Sequence, residues 1–353
     1  MHKPNIARSM GYDSTAGMIN RVEATAFDRS SFAFDAASGQ GMAFLASQLE
    51  YPNVDLVEPL AALTHPRDIT VESGGGYVEF TSAWASEYAT TGGNQYGLQG
   101  TENTDIAMTQ VNIKKGIWPA FNWGHGFRVP YVDLQRLIDS RRLGIPAPYS
   151  LQKLLDDGVK LIWGKTLDRV TYLGWEQSEG LINNSNVYST VAPNGAAGSP
   201  LWSKKTPTEI QNDVNAMLLY TQEHSGYDVA GLADRLLVDY PHWSLLNQPM
   251  TIGGFNSVLE YIYSNNVAKR QGVDFQILPL PNDWISTQGA GSTSRALAYR
   301  NDDKSVQLRV PQPIQKVFTV PSVRASGYET LFMGCIGVVQ WYRPQTAIYY
   351  DGI

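Results

Sequence analysis

Apolar and polar positions alternate over Asp68-Ile69-Thr70-Val71-Glu72 and again over Gly76-Tyr77-Val78-Glu79-Phe80-Thr81, and a Thr-, Val- and Ile-rich run returns at 106–113. Period-two alternation is the signature of a half-buried strand. The stretch Thr90–Gly97 between these runs is rich in glycine and prone to turn. Residues 67–118 therefore read as a long β-hairpin with a loose tip, polar on both faces. A projecting hairpin of that kind is weakly specified until another chain covers it.

The period then changes to that of a helix. Tyr131–Leu143 reads as one helix, closed by Gly144 and Pro146. A second begins with Ser150 as N-cap and runs to Leu173, with Gly174 as its stop. Leu151, Leu154, Leu155, Ile162, Leu167 and Val170 form its apolar stripe, and about 23 residues make a rod of roughly 34 Å. Thr206-Pro207-Thr208-Glu209 is a capping box with proline at the first helical position, and Gly226 can end the helix it starts. A further helix is expected over 252–264. Strands are expected at Arg235–Val238, Phe275–Leu280, Val306–Val310, Lys316–Val320, Phe332–Val339 and Thr346–Tyr350. Residues 1–60 have only scattered apolar positions, with one short helix at Gly41–Leu49, and read as an arm that orders against something else. Helices and strands are segregated rather than alternating, which predicts an α+β fold.

Composition adds a surface argument. Apolar residues make up 43% of the 353 and charged residues only 17%, with 9 Trp, 19 Tyr and 11 Phe. So few charges, set beside so many aromatics, fit a chain whose surface is partly covered by partners. The net charge of −6 argues against a free-standing nucleic-acid-binding protein. The single cysteine, Cys335, excludes an internal disulfide and sits in an apolar run as a buried, inert thiol. No apolar stretch is long enough to cross a membrane as a helix.

Candidate chemistry is sparse. Phosphate-binding glycine loops, dinucleotide fingerprints and nucleophile elbows are all missing. The 5 histidines are far apart and none has metal-ligand spacing. Gly124-His125-Gly126 could flex a base on a loop, but reads better as a bend between two β segments. Asp156 and Asp157 point about 100° apart on a helix, and Asp302-Asp303 sit in a polar turn. No catalytic, cofactor-binding or metal-binding residue is expected. The alternative from another class is a carbohydrate-active β-rich enzyme whose carboxylates come from distant positions.

Two stretches carry a resemblance. Val320-Pro321-Ser322-Val323-Arg324-Ala325-Ser326-Gly327-Tyr328-Glu329 and Gln340-Trp341-Tyr342-Arg343-Pro344-Gln345-Thr346-Ala347-Ile348-Tyr349-Tyr350-Asp351-Gly352-Ile353 resemble the end of tailed-phage major capsid proteins of the Hong Kong 97 fold, which are related to encapsulins. Pro130-Tyr131-Val132-Asp133-Leu134 adds to the likeness, and the order of parts extends it along the chain. The resemblance implies an N-terminal arm over 1–60, an E-loop hairpin with flanking strands over 61–118, and a peripheral (P) domain with spine helix over 119–180. It implies an axial (A) domain over 181–305 and return strands of the P domain over 306–353. It further implies hexamers and pentamers closing an icosahedral shell around double-stranded DNA, and no catalysis. A separate scaffolding protein, a portal and a decoration protein are the implied partners, with no cofactor and no membrane. Assembly is expected to be non-covalent although Lys114 and Lys115 lie in the hairpin, with DNA contacted non-specifically. Synthesis is expected in the cytoplasm of a bacterial host, and the virion is the destination. An encapsulin-type compartment is the alternative within the same fold.

Charge pattern suggests how copies meet. The hairpin carries Asp68, Glu72, Glu79, Glu87, Glu102 and Asp105 against Arg67, whereas the helical section is rich in Arg136, Arg141, Arg142 and Lys153. An acidic hairpin is expected to lie across a neighbour's basic helix face. The contact residues would be Glu72, Glu79, Glu87, Glu102, Asp105, Arg136, Arg141, Arg142 and Lys153.

Overall fold

The computed structural model describes residues 62–91, 106–142, 151–250, 257–281, 283–324 and 326–353. They divide into two units. One takes in residues 129–164, and the other Leu63–Arg128 with Lys165–Ile353.

The smaller unit is helical. Helix α2 spans Tyr131–Arg142, with Asp133 in its first turn and Arg136 Nη1 3.3 Å from Asp133. Helix α3 spans Leu151–Leu173, as its apolar stripe predicts, and buries Val159 and Trp163. The expected cap at Ser150 and the arm at 1–60 lie outside the described residues. Residues 165–173 of α3 belong to the larger unit. There the helix ends because Gly174 adopts φ +77 and turns the chain so tightly that a Cβ would lie 2.0 Å from the Ser178 carbonyl oxygen.

The larger unit opens with a helical turn, α1, at His65–Asp68, and a strand, β1, at Thr70–Ser73. A long ribbon follows, β2 (Phe80–Thr91) paired antiparallel with β3 (Met108–Pro130), from Phe80 opposite Pro119 to Thr91 opposite Met108. After α3 come β4 (Tyr188–Val191), α4 (Pro207–His224), β5 (Arg235–Asp239), α5 (Tyr240–Leu246), α6 (Val258–Asn265), α7 (Val267–Arg270), β6 (Gln276–Leu280) and β7 (Arg295–Tyr299). The chain finishes with β8 (Val306–Val310), β9 (Gln312–Ser322), β10 (Gly327–Gly337), β11 (Val339–Trp341) and β12 (Ala347–Asp351).

These strands make three sheets with orders β1-β8-β11, β2-β3-β10-β9 and β4-β12-β7-β5-β6. The five-stranded sheet carries the core. Its β12 is buried at every position and β5 and β7 nearly so, as expected for strands covered on both faces. Trp202, Met217, Leu218, Leu236, Ile262, Ile277 and Ile348 pack in one cluster between this sheet and helices α4 and α6. Helix α4 begins as its sequence dictates. The Thr206 hydroxyl accepts from Glu209 N, and the Glu209 carboxylate accepts from Thr206 N at 2.7 Å.

Three expectations need correction. The run Asp68–Glu72 is not part of the hairpin: His65–Asp68 is helical, and β1 pairs in parallel with β8, Thr70 opposite Gln307. Alternation marks a strand but does not name its partner. Gly124-His125-Gly126 does not bend. It lies within continuous β3, and a Cβ on Gly126 would stand 2.4 Å from the Thr330 carbonyl, so this glycine permits close strand approach. The division drawn at 306 also fails to follow the sheets. The final strand β12 pairs with β4 and β7 of the 181–305 segment rather than with β8 to β11.

Candidate functional site: an uncovered ribbon and a basic cleft

Pairing in the ribbon sorts its side chains onto two faces. Phe80, Trp84 and Tyr88 share one face of β2 with Ser82 and Ser86, and the register adds Ile117 (opposite Ser82), Ile113 (opposite Ser86) and Val111 (opposite Tyr88) of β3 to the same side. All are exposed, Trp84 to 69% and Tyr88 to 74%, with Val111, Ile113 and Ile117 at 55–61%. Lys115 Nζ sits 5.3 Å from the Trp84 ring centroid on this side. The hairpin is therefore not polar on both faces. One face carries a strip of large apolar side chains, interspersed with Ser82, Ser86 and Lys115, that are exposed among the described residues. The residues that make it went unnoticed in the sequence because they are interleaved with Ser82, Ser86 and Thr90, and only the register aligns them.

The opposite face meets the body of the larger unit. Thr81 Oγ1 accepts from Gln340 Nε2 at 2.6 Å, and the Trp118 ring meets Tyr342 edge-on at 5.7 Å. Beside this contact lies an open cleft of about 580 Å³, lined by Trp84, Lys114, Lys115, Trp118, Lys304 and Arg343 among others, with Asp303 its acidic member. Lys114 is committed to Glu87 at 2.7 Å. Lys304 and Arg343 are exposed and form no ion pair among the described residues.

The sequence-selected charges are carried by several elements. Glu72 belongs to β1 and pairs with Arg309 at 3.1 Å. Glu79 precedes β2 and is exposed. Glu87 is the one acid of β2, whereas β3 carries Lys114, Lys115 and Arg128, so the described arms of the ribbon are basic rather than acidic. Glu102 and Asp105 lie outside the described residues, as do the side chains of Arg141 and Arg142 on the last turn of α2. Arg136 pairs with Asp133, and Lys153 is exposed on α3. Asp68 and Glu72, near the hairpin in sequence, are folded into other elements. Asp68 is fully buried, accepting from Tyr172 Oη at 2.5 Å and from Arg67 Nε at 2.5 Å.

Among the described residues no catalytic geometry is assembled. Asp239 approaches both His242 Nδ1 and Ser294 Oγ, the latter at 2.5 Å. These are the residue types of a hydrolytic triad, but serine and histidine both address the carboxylate, so the imidazole cannot take the serine proton. The aromatic cleft offers Asp303 without a second lining carboxylate, which does not supply the pair that glycoside hydrolysis needs. Among the described residues no cluster of three or more His, Cys, Asp and Glu could hold a metal. Cys335 is fully buried, and burial pushes its thiol pKa up, away from the reactive thiolate. No described helix is long and apolar enough to cross a membrane.

Comparison with known proteins interprets a surface built for contact rather than reaction. Residues 95–353 match the family model of the major capsid protein. The chain belongs to the major capsid protein family. Among solved structures, the capsid of Myoviridae phage XM1 superposes with a TM-score of 0.65 at 15% identity, covering 87% of this chain and 98% of that one. The capsid of the native GTA particle gives 0.53 at 11%, covering 89% and 99%. The match to Microbacterium phage Oxtober96 gives 0.55 at 11%, covering 85% and 92%. At these identities the likeness is one of fold, and the fold is that of the Hong Kong 97-like phage capsids. Comparison with curated proteins gave no match. This capsid protein is a structural component of a virion shell and not an enzyme.

Proposed function

We propose that copies of this capsid protein form hexamers and pentamers that close an icosahedral shell around double-stranded DNA, each copy laying the apolar face of its β2–β3 ribbon on a neighbouring copy. The observation that carries this reading is the strip of Phe80, Trp84, Tyr88, Val111, Ile113 and Ile117, exposed along a two-stranded ribbon. Fully burying a side chain of this size is worth about 1.5–3 kcal/mol, so leaving the strip in water would be costly and covering it would drive association. Obligate contacts between copies are commonly of this apolar kind.

The charges are assigned to the rim of that contact. Glu79, Glu102 and Asp105 on one copy and Arg136, Arg141, Arg142 and Lys153 on the next would set register more than strength, since exposed pairs contribute ~1 kcal/mol or less. Glu72 and Glu87 are already engaged by Arg309 and Lys114 and would contribute less. A scaffolding protein, a portal and a decoration protein are the further partners of this reading. DNA would be held through phosphates by a few inward-facing basic residues, without base readout.

The test is size-exclusion chromatography and negative-stain microscopy of the chain expressed alone and with neighbouring phage genes. Closed particles of megadalton size, with nuclease-resistant DNA when packaging proteins are present, are expected. A monomer under every condition would overturn the reading.

A further inference from the structure

We propose that Asn194 is a site of spontaneous covalent modification, where the side-chain amide leaves as ammonia and the loop between β4 and α4 gains a carboxylate at a rate that Glu209 restrains. The assignment does not depend on how copies meet. Asn194-Gly195 is the one Asn-Gly pair in the chain, and such pairs favour turns. Asn194 is exposed, and no hydrogen bond among the described residues holds its side chain. Gly195 has no Cβ to shield its own nitrogen from that side chain. The turn requires this glycine, because a Cβ would lie 3.0 Å from Lys205 Cγ and 3.2 Å from Glu209 Oε1.

The nucleophile is the backbone nitrogen of Gly195. It loses its proton to solvent and bonds to Cγ of Asn194, closing a cyclic imide. The Cγ–Nδ2 bond breaks, and Nδ2 takes a proton from solvent and leaves as ammonia. Water then opens the ring at one of its two C–N bonds and leaves an aspartyl or isoaspartyl residue at position 194. Water enters and ammonia leaves, so the step needs no further reactant.

The fold sets the rate. The Gly195 N–H donates to the Ser199 carbonyl at 3.0 Å, and the Gly198 N–H donates to the Gly195 carbonyl at 2.9 Å. Beside them the Ala196 N–H donates to Glu209 Oε1 at 2.6 Å, a short charge-assisted bond. The Gly195 nitrogen is free to attack only while this turn is open, and surface turns open far more readily than the core. Conversion is therefore slowed but not blocked. Its product places a second carboxylate in the turn that Glu209 grips. Glu209 also accepts from Thr206 N at 2.7 Å at the start of α4, so conversion should loosen the turn and that cap together.

The test is to age the folded chain in warm, mildly alkaline buffer beside the same chain unfolded in urea, and to map both by mass spectrometry. Position 194 should convert ahead of the other described asparagines in the folded chain, and more slowly there than in urea. Asn194→Gln should abolish the signal. Glu209→Gln keeps an acceptor and a capping box but removes the charge, and should speed conversion by about tenfold in the folded chain. Should that variant not fold, hydrogen exchange at the Ala196 amide of the wild type reads the same restraint, and slow exchange supports it. A folded chain left intact at 194 while the unfolded one converts overturns the site. A wild-type rate in folded Glu209→Gln, or unprotected exchange at Ala196, overturns the role of Glu209.

Discussion

His65 Nδ1 lies 2.6 Å from Asp168 Oδ1, both side chains being buried, and that same carboxylate oxygen accepts from the backbone N–H of His65 at 2.9 Å and of Thr64 at 3.2 Å. The last turns of α3 thereby fix the segment that leads to β1. Nearby, Tyr299 Oη donates to the Asp68 carbonyl, and Arg67 Nη2 reaches the Pro279 carbonyl at 3.0 Å. One short segment is held from a helix, from β7 and from β6.

Asp168→Ala would strand the Thr64 and His65 amides and the imidazole without an acceptor. Each buried orphan costs about 1–3 kcal/mol, so a loss of at least 2 kcal/mol is expected. Urea unfolding of the unassembled subunit measures it. Asp168→Asn, which can still accept from the amides, should fall between wild type and the alanine variant. A wild-type midpoint for Asp168→Ala would show that the latch contributes nothing.

Lys205 and Asp213 form a buried ion pair at 2.5 Å, and Trp202 Nε1 donates to the same carboxylate at 3.0 Å. Burial pushes the Asp213 pKa up despite the opposing ammonium, which identifies desolvation as the larger effect. Lys205→Met leaves that carboxylate unpaired and should destabilise by about 3–5 kcal/mol. Lys205→Met combined with Asp213→Leu should recover part of the loss. Thermal unfolding of both variants compares them, and a double variant less stable than the single would contradict the account.

Trp84 is exposed, so Trp84→Asp should change subunit stability by no more than about 0.5 kcal/mol. It places a charge in the middle of the apolar strip, however, and should abolish assembly. Sedimentation velocity and circular dichroism on one sample separate the effects. Normal particles from this variant would remove the ribbon face from the interface.

Asp351 closes the last strand. Burial alone would raise its pKa, but Arg295 Nε at 2.6 Å, the Ser189 hydroxyl and the Ala290 amide outweigh it and hold the carboxyl below its ordinary value. Folding therefore favours the ionised form. Its stabilisation is complete above the ordinary value of about 3.9 and is lost as pH falls from there through the lowered one. Stability of the wild-type subunit should decline below about pH 4, and Asp351→Asn should flatten that part of the profile. Identical acid profiles would place the transition elsewhere.

Much of the local structure was written in short stretches of sequence. The box Thr206–Glu209 starts α4, Gly174 ends α3, and β8, β9, β10 and β12 appear where alternating or apolar runs predict them. Caps and periodicities act within a few residues, so a single sequence exposes them. The C-terminal motifs were also enough to suggest the shell family before any geometry was known.

Partnership was left to the tertiary structure. The strand at Thr70–Ser73 found its mate at 307–310, not in the adjoining hairpin, and β12 crossed into the five-stranded sheet. Hydrogen-bonding edges of a strand carry no address, and the choice between partners is made by what each arrangement buries. For the same reason two of the acids assigned to the hairpin lie in other elements. Asp68 and Glu72 were drawn into the body, while pairing of β2 with β3 gathered Trp84, Tyr88 and Ile117 onto one uncovered face. The charge-poor, aromatic-rich composition fits such a face without placing it. Its position depends on cross-strand register, which joins residues far apart in the chain and which no local pattern specifies.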